Sequence, residues 1–424
     1  MFEVFLEKVK LIIKDNTLRR RILFVLGALI LFRLLATIPI PGIDVIRLEQ
    51  FFANNQFLGL LNIFSGGGLS NLSIVMLGVA PYITASIIMQ LMTIMSSRLK
   101  AMYQEEGEAG KKKFSQYSRL LTVPLAFVQG FAFLTLLSRQ GIVPDLGLFG
   151  MLTNVLIIAA GSILLMWIGE LITEFGIGNG VSLIIFAGIV SGLPTTVSQL
   201  IFTFDISQIP LYLGFFVVGL LIIAGVVIVT EAERPIPITY AKRVRGMKVY
   251  GGISTYLPLR VNQAGVIPII FALSILLFPQ MILQFLENVN SAIISAVSSV
   301  FLNILANGFV YSLLYFVLVF MFTYFYTAVT FDPDSIATNL QKSGAFIPGV
   351  RPGKTTAQYI GKILTRITLV GAVFLGAIAV LPLAMQAITG ITALAIGGTA
   401  LLIAVSVILD LVRKVDSQIS MREY

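Results

Sequence analysis

NIFSGGGLSNLSIVMLGVAPYITASIIMQLMTIM, running from Asn62 to Met95, is the stretch whose reading decides the fold. It begins apolar, breaks at Gly66, Gly67 and Gly68, and turns polar at Ser70, Asn71 and Ser73. It then resumes as a helix-length apolar run carrying Pro81, Tyr82, Thr84, Ser86 and Gln90. Each glycine costs a helix about 1 kcal/mol relative to alanine. Interrupted backbone survives at membrane depth only where protein surrounds it or water fills a cavity. The stretch therefore predicts an enclosed cavity or pore with a short re-entrant half-helix lying in it. A plain extracytoplasmic loop is the competing reading, and Ile63, Phe64, Leu69 and Leu72 are too apolar to favour it.

Working outward, the 424 residues are 57% hydrophobic and 12% charged, more apolar surface than a soluble chain of this length hides. The class is an all-α polytopic membrane protein. Cysteine and histidine are both absent. That removes disulfides, thiolate or imidazole metal sites and Ser–His–Asp catalysis together. We expect no metal, no cofactor and no catalytic residues.

Ten apolar segments approach the length of about 20 residues that a hydrocarbon core requires. They lie near Ile22–Ile40, Ile74–Met95, Leu120–Leu137, Thr153–Glu174, Val181–Phe202, Leu211–Thr230, Ala264–Phe285, Phe309–Phe331, Ile367–Met385 and Thr392–Leu411. Lysines and arginines number six in Met1–Arg21, six in Arg98–Arg119, six in Arg234–Arg260, five in Lys342–Arg366 and three after Leu411. Only Arg33, Arg47 and Arg139 fall elsewhere. Cytoplasmic loops collect positive charge, so both termini are expected inside, with ten spans between them. The expected layout is an amphipathic cytoplasmic segment over 1–21, an N-terminal half over 22–202, a C-terminal half over 203–411 and a cytoplasmic tail over 412–424. A long connection after the fifth span suggests two five-helix halves of inverted topology around a central pore, although no residue-level repeat supports it.

Two long cytoplasmic loops, 231–262 and 332–362, carry both charge and apolar residues. The first has β-leaning alternation around Gly251–Gly252 and the second has turns at Gly344, Pro348–Gly349 and Pro352–Gly353. They read either as solvated loops or as a docking surface for a large cytosolic partner. Loops of this length without a fold of their own tend to be functional, and Tyr250, Ile253, Phe346 and Ile347 would otherwise be left wet. PGVRPGKTT, from Pro348 to Thr356, imitates a phosphate-binding loop but has Pro348 where G-x-x-x-x-G-K-[ST] needs its first glycine. No nucleotide binding is expected. Arg351 instead stands between two Pro/Gly turns as a presented contact.

GIGNG, from Gly176 to Gly180, is read as a tight turn serving packing, with Glu170 and Glu174 just before it near the membrane surface. Arg33 is the one clear mid-span charge, and no mid-span acid is present to couple transport to protons. Val79 and Ile83 share a helix face, and Val181 and Ile185 repeat the spacing. Taken alone, such residues serve packing or face lipid as readily as they line a pore.

RLLATIPIPGID, FSGGGLSNLSIVMLGVAPYITASIIMQL, MWIGELITEFGIGNGVSLIIFAGIVSGLP, YAKRVRG, STYLPLRVNQAGVIPIIFA and NLQKSGAFIPGVRPGKTTAQYI closely resemble the bacterial SecY family, the channel subunits of the Sec protein translocase. The resemblance spans nearly the whole chain in the right order. It implies an hourglass channel in the bacterial cytoplasmic (inner) membrane that passes unfolded secretory polypeptides and releases transmembrane segments sideways into lipid. It implies a plug at Phe64, Ser65, Gly66, Gly67, Gly68, Leu69, Ser70, Asn71, Leu72 and Ser73. It implies a pore ring of Val79, Ile83, Val181, Ile185, Ile270 and Ile403, and polar lateral-gate residues Gln90 and Asn262. Lys242, Arg243, Arg245, Lys248, Arg351 and Lys354 fall on the loops that meet the motor ATPase SecA or the ribosome. SecE and SecG subunits, signal peptides, nascent polypeptides and membrane lipids are the other implied partners. The chain would be no enzyme, its energy coming from SecA or translation.

Departures fall on the loop 231–262. The family often has a basic pair after the glycine of YAKR-x-x-G, and here Met247–Lys248 stands there; its usual QRR reads Glu233, Arg234, Pro235. A secondary transporter with broken helices is the runner-up reading, and a mid-membrane acid would mark it. An intramembrane enzyme comes third, with no visible dyad.

Overall fold

A computed structural model describes residues 14–41, 62, 65, 67–69, 71–139, 143, 147–202, 209–240, 243–245, 248–250, 254–287, 292–389 and 392–423. The described chain is mainly helical. Its helices are α1 (Asn16–Leu35), α2 (Ala80–Met95), α3 (Ser97–Gln104), α4 (Gly107–Arg139), α5 (Gly147–Phe175), α6 (Gly180–Phe202) and α7 (Ile209–Glu231). There follow α8 (Ile267–Glu287), α9 (Ala292–Ala306), α10 (Gly308–Thr330), α11 (Pro333–Lys342), α12 (Lys354–Thr389) and α13 (Thr392–Glu423). Each of the ten predicted apolar segments falls on one of these helices. Gly107–Ser138, Gly147–Phe175, Gly308–Lys342 (which takes in α10 and α11) and Lys354–Ala387 are long and apolar enough to cross a membrane.

Local chemistry sets the ends of these helices. Asp15 caps α1, its Oδ1 accepting from the amides of Thr17 at 2.8 Å and Leu18 at 3.3 Å. Asp332 caps α11 ahead of Pro333, whose fixed φ suits a first helical turn. The second apolar segment starts as a helix only at Ala80, because Ile74–Val79 lie in turns that lead out of the glycine-rich stretch.

The chain divides into two compact units. The first takes in Met1–Phe215, Leu273–Tyr311 and Pro382–Tyr424; the second takes in Phe216–Ala272 and Ser312–Leu381. In the first, α4 packs on α2, α3 and α5, and α6 packs on α5 and α13. Met89, Met102 and Phe114 form a small core between α2, α3 and α4. The GIGNG turn is a packing device, as its sequence suggested. Gly178 has φ +98°, and Gly180 sits against the carbonyl of Gly169 with no room for a Cβ. Ile177, at the same turn, packs with Leu18 of α1 and Ile419 of α13. Helix α13 runs unbroken to Glu423, so residues 412–423 are its continuation.

The second unit holds the two long loops, and here the expectation is corrected. They have a fold. Strands β1 (Glu233–Tyr240), β2 (Arg243–Arg245), β3 (Lys248–Tyr250) and β4 (Ser254–Arg260) pair antiparallel in one constant register, from Glu233↔Arg260 to Arg245↔Lys248. The chain therefore reverses between Arg245 and Lys248 rather than at the expected Gly251–Gly252. From the other loop, β5 (Ala345–Phe346) adds to β1 through Thr239↔Phe346, giving the order β4-β1-β5. Ile236, Ile238, Leu259, Ala345, Ile347 and Ile360 form a buried core beneath the sheet. Ile347, which a plain solvated loop would have left wet, is one of its members. Tyr250 lies on β3, Phe346 stays partly exposed, and Ile253 lies outside the described residues.

Candidate functional site

The glycine-rich stretch is held by the end of α1. Past its last turn, the chain pairs across a single bridge at Pro39↔Ser73. The amide of Ile40 donates to the Leu72 carbonyl at 2.9 Å, and that of Ile74 to the Ile38 carbonyl at 3.0 Å. Asn154 of α5 reaches the Pro41 carbonyl at 3.4 Å, and Asn71 reaches that of Ala36 at 3.4 Å. Inside the stretch, the Ser65 hydroxyl accepts from the Leu69 amide at 3.0 Å, and the Ser73 hydroxyl donates to the Gly68 carbonyl at 2.9 Å. Backbone left without a helical ladder is thus repaid by side chains and a bridge.

The glycines are there for distinct reasons. Gly67 has φ +81°. A Cβ on Gly68 would stand 2.8 Å from Ser73 Oγ and 3.0 Å from the Val75 carbonyl oxygen. Leu72 is the single described non-glycine residue with positive φ, at +42°, and it is fully buried. A bulky residue in that region is an outlier that its surroundings must hold in place. Phe64, Gly66 and Ser70 lie outside the described residues.

Val79 caps α2, and its carbonyl accepts from the Ile83 amide at 3.0 Å. Val79, Ile83, Ile185, Ile270 and Ile403 are buried and Val181 half-buried. Ile270 belongs to the second unit and the other five to the first. Within the first unit, the helices carrying Val181, Ile185 and Ile403 pack together.

The polar residues expected at a gate are only partly satisfied. Gln90 is half-buried, and its Oε1 has no hydrogen-bond partner among the described residues. Asn262 donates from Nδ2 to the Gly265 carbonyl at 3.3 Å, while its buried Oδ1 likewise has no partner among them. Sequence reasoning passed over Thr84 as a site residue and Gln129 altogether. They meet on neighbouring helices, Gln129 Nε2 lying 3.5 Å from Thr84 Oγ1 with both residues buried. The available signal was a lone glutamine inside the apolar run Leu120–Leu137.

Two charged groups that the sequence singled out take definite places. Arg33 lies in the last turn of α1, half-buried. Glu170 is ion-paired to Arg119, Nε to Oε1 at 2.5 Å, tying α5 to α4.

In the second unit, Arg351 and Lys354 are exposed. The Arg351 carbonyl accepts from the buried hydroxyl of Thr356 at 2.8 Å, between Gly349 at φ +83° and Gly353 at φ +98°. Arg243, Arg245 and Lys248 are placed by their backbone at the end of the β-ribbon farthest from Glu233 and Arg260; Lys242 lies outside the described residues.

Residues 73–412 match the family model described as SecY. The chain is 41% identical over 427 residues to the protein translocase subunit SecY of Mycobacterium leprae, covering 96% of each chain. It is 40% identical to that of Streptomyces scabiei, covering 97% of each.

The chain belongs to the SecY family.

It is accordingly a multi-pass membrane protein. Its fold is shared with solved members of the SecY and Sec61 group. One, "The structure of a protein conducting channel", aligns over 96% of this chain and 93% of its own, with a TM-score of 0.67 at 19% identity. Another, "Sec61 in the Canine ribosome-channel complex from the endoplasmic reticulum", has a TM-score of 0.64 at 18% identity with the same coverage. The SecY assignment reaches the stretch from Ser73 onward directly, and the glycine triplet lies just ahead of it.

Proposed function

We propose that this chain is a protein-conducting channel. It passes unfolded secretory polypeptides across the bacterial cytoplasmic membrane and releases transmembrane segments sideways into lipid. The observation that carries the reading is identity of about two residues in five with translocase SecY subunits along nearly the whole length. In this reading the chain has ten spans with both termini cytoplasmic, in two inverted halves, a layout that the charge distribution supports. The channel subunit does no chemistry itself. Force comes from SecA or from translation at the ribosome, with SecE and SecG as companion subunits.

The mechanism follows from what an indiscriminate passage demands. A conduit for arbitrary sequences gains nothing from fixed charges or specific hydrogen bonds. Aliphatic side chains at Val79, Ile83, Val181, Ile185, Ile270 and Ile403 form a deformable gasket around a moving chain and block ions by dewetting when empty. The segment Phe64–Ser73 seals the outer side at rest, and its internal bonding at Ser65, Gly68 and Ser73 lets it move as a unit. Gln90 and Asn262, each with a side-chain oxygen unsatisfied among the described residues, mark a seam that opens readily because closing it leaves polar atoms short of partners. Signal peptides and apolar segments leave through that seam because lipid buries their surface. Arg351, Lys354 and the ribbon tip at Arg243, Arg245 and Lys248 are the contacts for SecA or the ribosome.

The test is electrical. Ile83, Ile185 and Ile270 replaced together by serine should leave a channel that leaks ions at rest in planar bilayers. Resting conductance equal to the parent's would refute the ring.

A further inference from the structure

Almost all positive charge in this chain lies in cytoplasmic stretches, yet Arg33 stands at the far end of α1, in the turn that leads to the Pro39↔Ser73 bridge. Keeping a guanidinium there is costly in a membrane unless it does something. Its position relative to the glycine triplet says what. A Cβ built on Gly67 would lie 3.3 Å from Arg33 Nη1, 3.5 Å from Ser191 Oγ and 3.9 Å from the Gly188 carbonyl oxygen. Gly67 also has φ +81°, which L side chains resist. The residue is therefore glycine on two counts: backbone shape, and the close approach of a cation from α1 and a small-residue ledge on α6. Ser191 turns its own hydroxyl back onto the Gly188 carbonyl at 2.7 Å, which keeps that ledge flat.

We infer that Arg33 is the latch of the plug: its guanidinium, with the Gly188–Ser191 ledge of α6, clamps the backbone at Gly67 and holds the resting seal. The inference rests on the reading of Phe64–Ser73 as the plug. A guanidinium suits the task because it offers five donors in a rigid fork, whereas carbonyls of irregular backbone have no helical donors to meet them. A latch built on backbone works whatever side chains the plug carries. It also releases without leaving a buried carboxylate behind. The bland competitor is that Arg33 only complements the C-terminal dipole of α1, a role lysine fills equally well.

The chain has no cysteine, so single-cysteine probes are clean. Leu69, two residues after Gly67, is buried, and Leu69→Cys should resist a membrane-impermeant maleimide while the plug is seated. The full chain is reconstituted; resting conductance is read for Arg33→Leu, Arg33→Gln, Arg33→Lys and a chain lacking residues 65–71, and labelling for the parent and the Arg33 variants, each carrying Leu69→Cys. We expect the shortened chain to leak. Arg33→Leu and Arg33→Gln should raise resting conductance about tenfold, the effect of losing one hydrogen bond to a charged group, and expose the thiol introduced by Leu69→Cys to label. Arg33→Lys should fall between them and the parent, and Arg33→Leu should add nothing once residues 65–71 are gone. If the shortened chain leaks while the Arg33 variants keep parental conductance and labelling, the latch is wrong and the plug stands. Equal gains from Arg33→Leu with and without residues 65–71 would also overturn it, by placing its action elsewhere. If the shortened chain does not leak, the plug and its latch fall together.

Discussion

The buried hydroxyl of Thr356 donates to the carbonyl oxygen of Arg351 at 2.8 Å, fastening an exposed arginine to the first turn of α12. With Gly349 and Gly353 on either side in left-handed conformation, the loop has little freedom to fold the side chain away. Arg351 is presented. Arg351→Glu should abolish SecA-driven export from vesicles while the protein remains folded in the membrane. Normal export would remove Arg351 from the coupling surface. Thr356→Val, which takes away the fastening and not the charge, should lower export several-fold and cost about 1 kcal/mol of stability.

The small sheet depends on its apolar floor. Ile347 belongs to the core shared by both loops, so Ile347→Ala should destabilise that unit by about 2–4 kcal/mol. Limited proteolysis is the readout, with cleavage appearing within 233–260 as well as near the substitution, because β5 pairs with β1. Cleavage confined to the neighbourhood of residue 347 would mean that the two loops are not coupled.

Close backbone approach at the GIGNG turn gives a stability prediction. Gly180→Ala forces a methyl group into the Gly169 carbonyl, where helix backbone rather than a flexible side chain must yield. A loss of about 1–3 kcal/mol is expected, read as a lower Tm in detergent. Gly192→Ala on the same helix, with open space around it, should leave Tm unchanged. Equal effects at both positions would contradict the packing.

Burial beside Phe114, with ring centroids 4.9 Å apart, raises the pKa of the Tyr103 phenol above its ordinary value. The neutral form is the one the fold favours, so its contribution is intact below the usual tyrosine pKa of about 10 and is lost as pH rises through the folded value. Tyr103→Phe should therefore flatten the fall in Tm on the alkaline side. An unchanged alkaline profile would show that Tyr103 does not carry it.

Composition and charge made the helical segments and their order legible, because hydrocarbon length and loop charge act on whole stretches of chain. The glycine triplet was legible too, since hydrocarbon penalises open backbone wherever it occurs. Strand character in 231–262 was legible as alternation, but the joining of the two loops was not. The sheet order β4-β1-β5 joins residues more than 100 positions apart through Thr239↔Phe346, and no local period announces such a pairing. A docked partner was accordingly the only cover the sequence offered Ile347, which the sheet covers instead. Apolarity continues to Ile40 and hides the helix end at Leu35, so the place of Arg33 in the last turn of α1, ahead of the bridge to Ser73, was not legible. The ring positions came from resemblance. Helical spacing pairs Val79 with Ile83 and Val181 with Ile185, but says nothing about Ile270 or Ile403.

The central claim is that a polypeptide passes through this chain. A stalled secretory precursor carrying one cysteine is driven by SecA into proteoliposomes holding the channel with either Ile83→Cys or Leu120→Cys. Ile83 is buried at a position proposed for the ring, and Leu120 is 69% exposed on α4. A disulfide to the precursor should form at position 83 and not at position 120, and only when SecA and ATP are supplied. No disulfide at position 83, or equal yields at both, would contradict conduction through the ring.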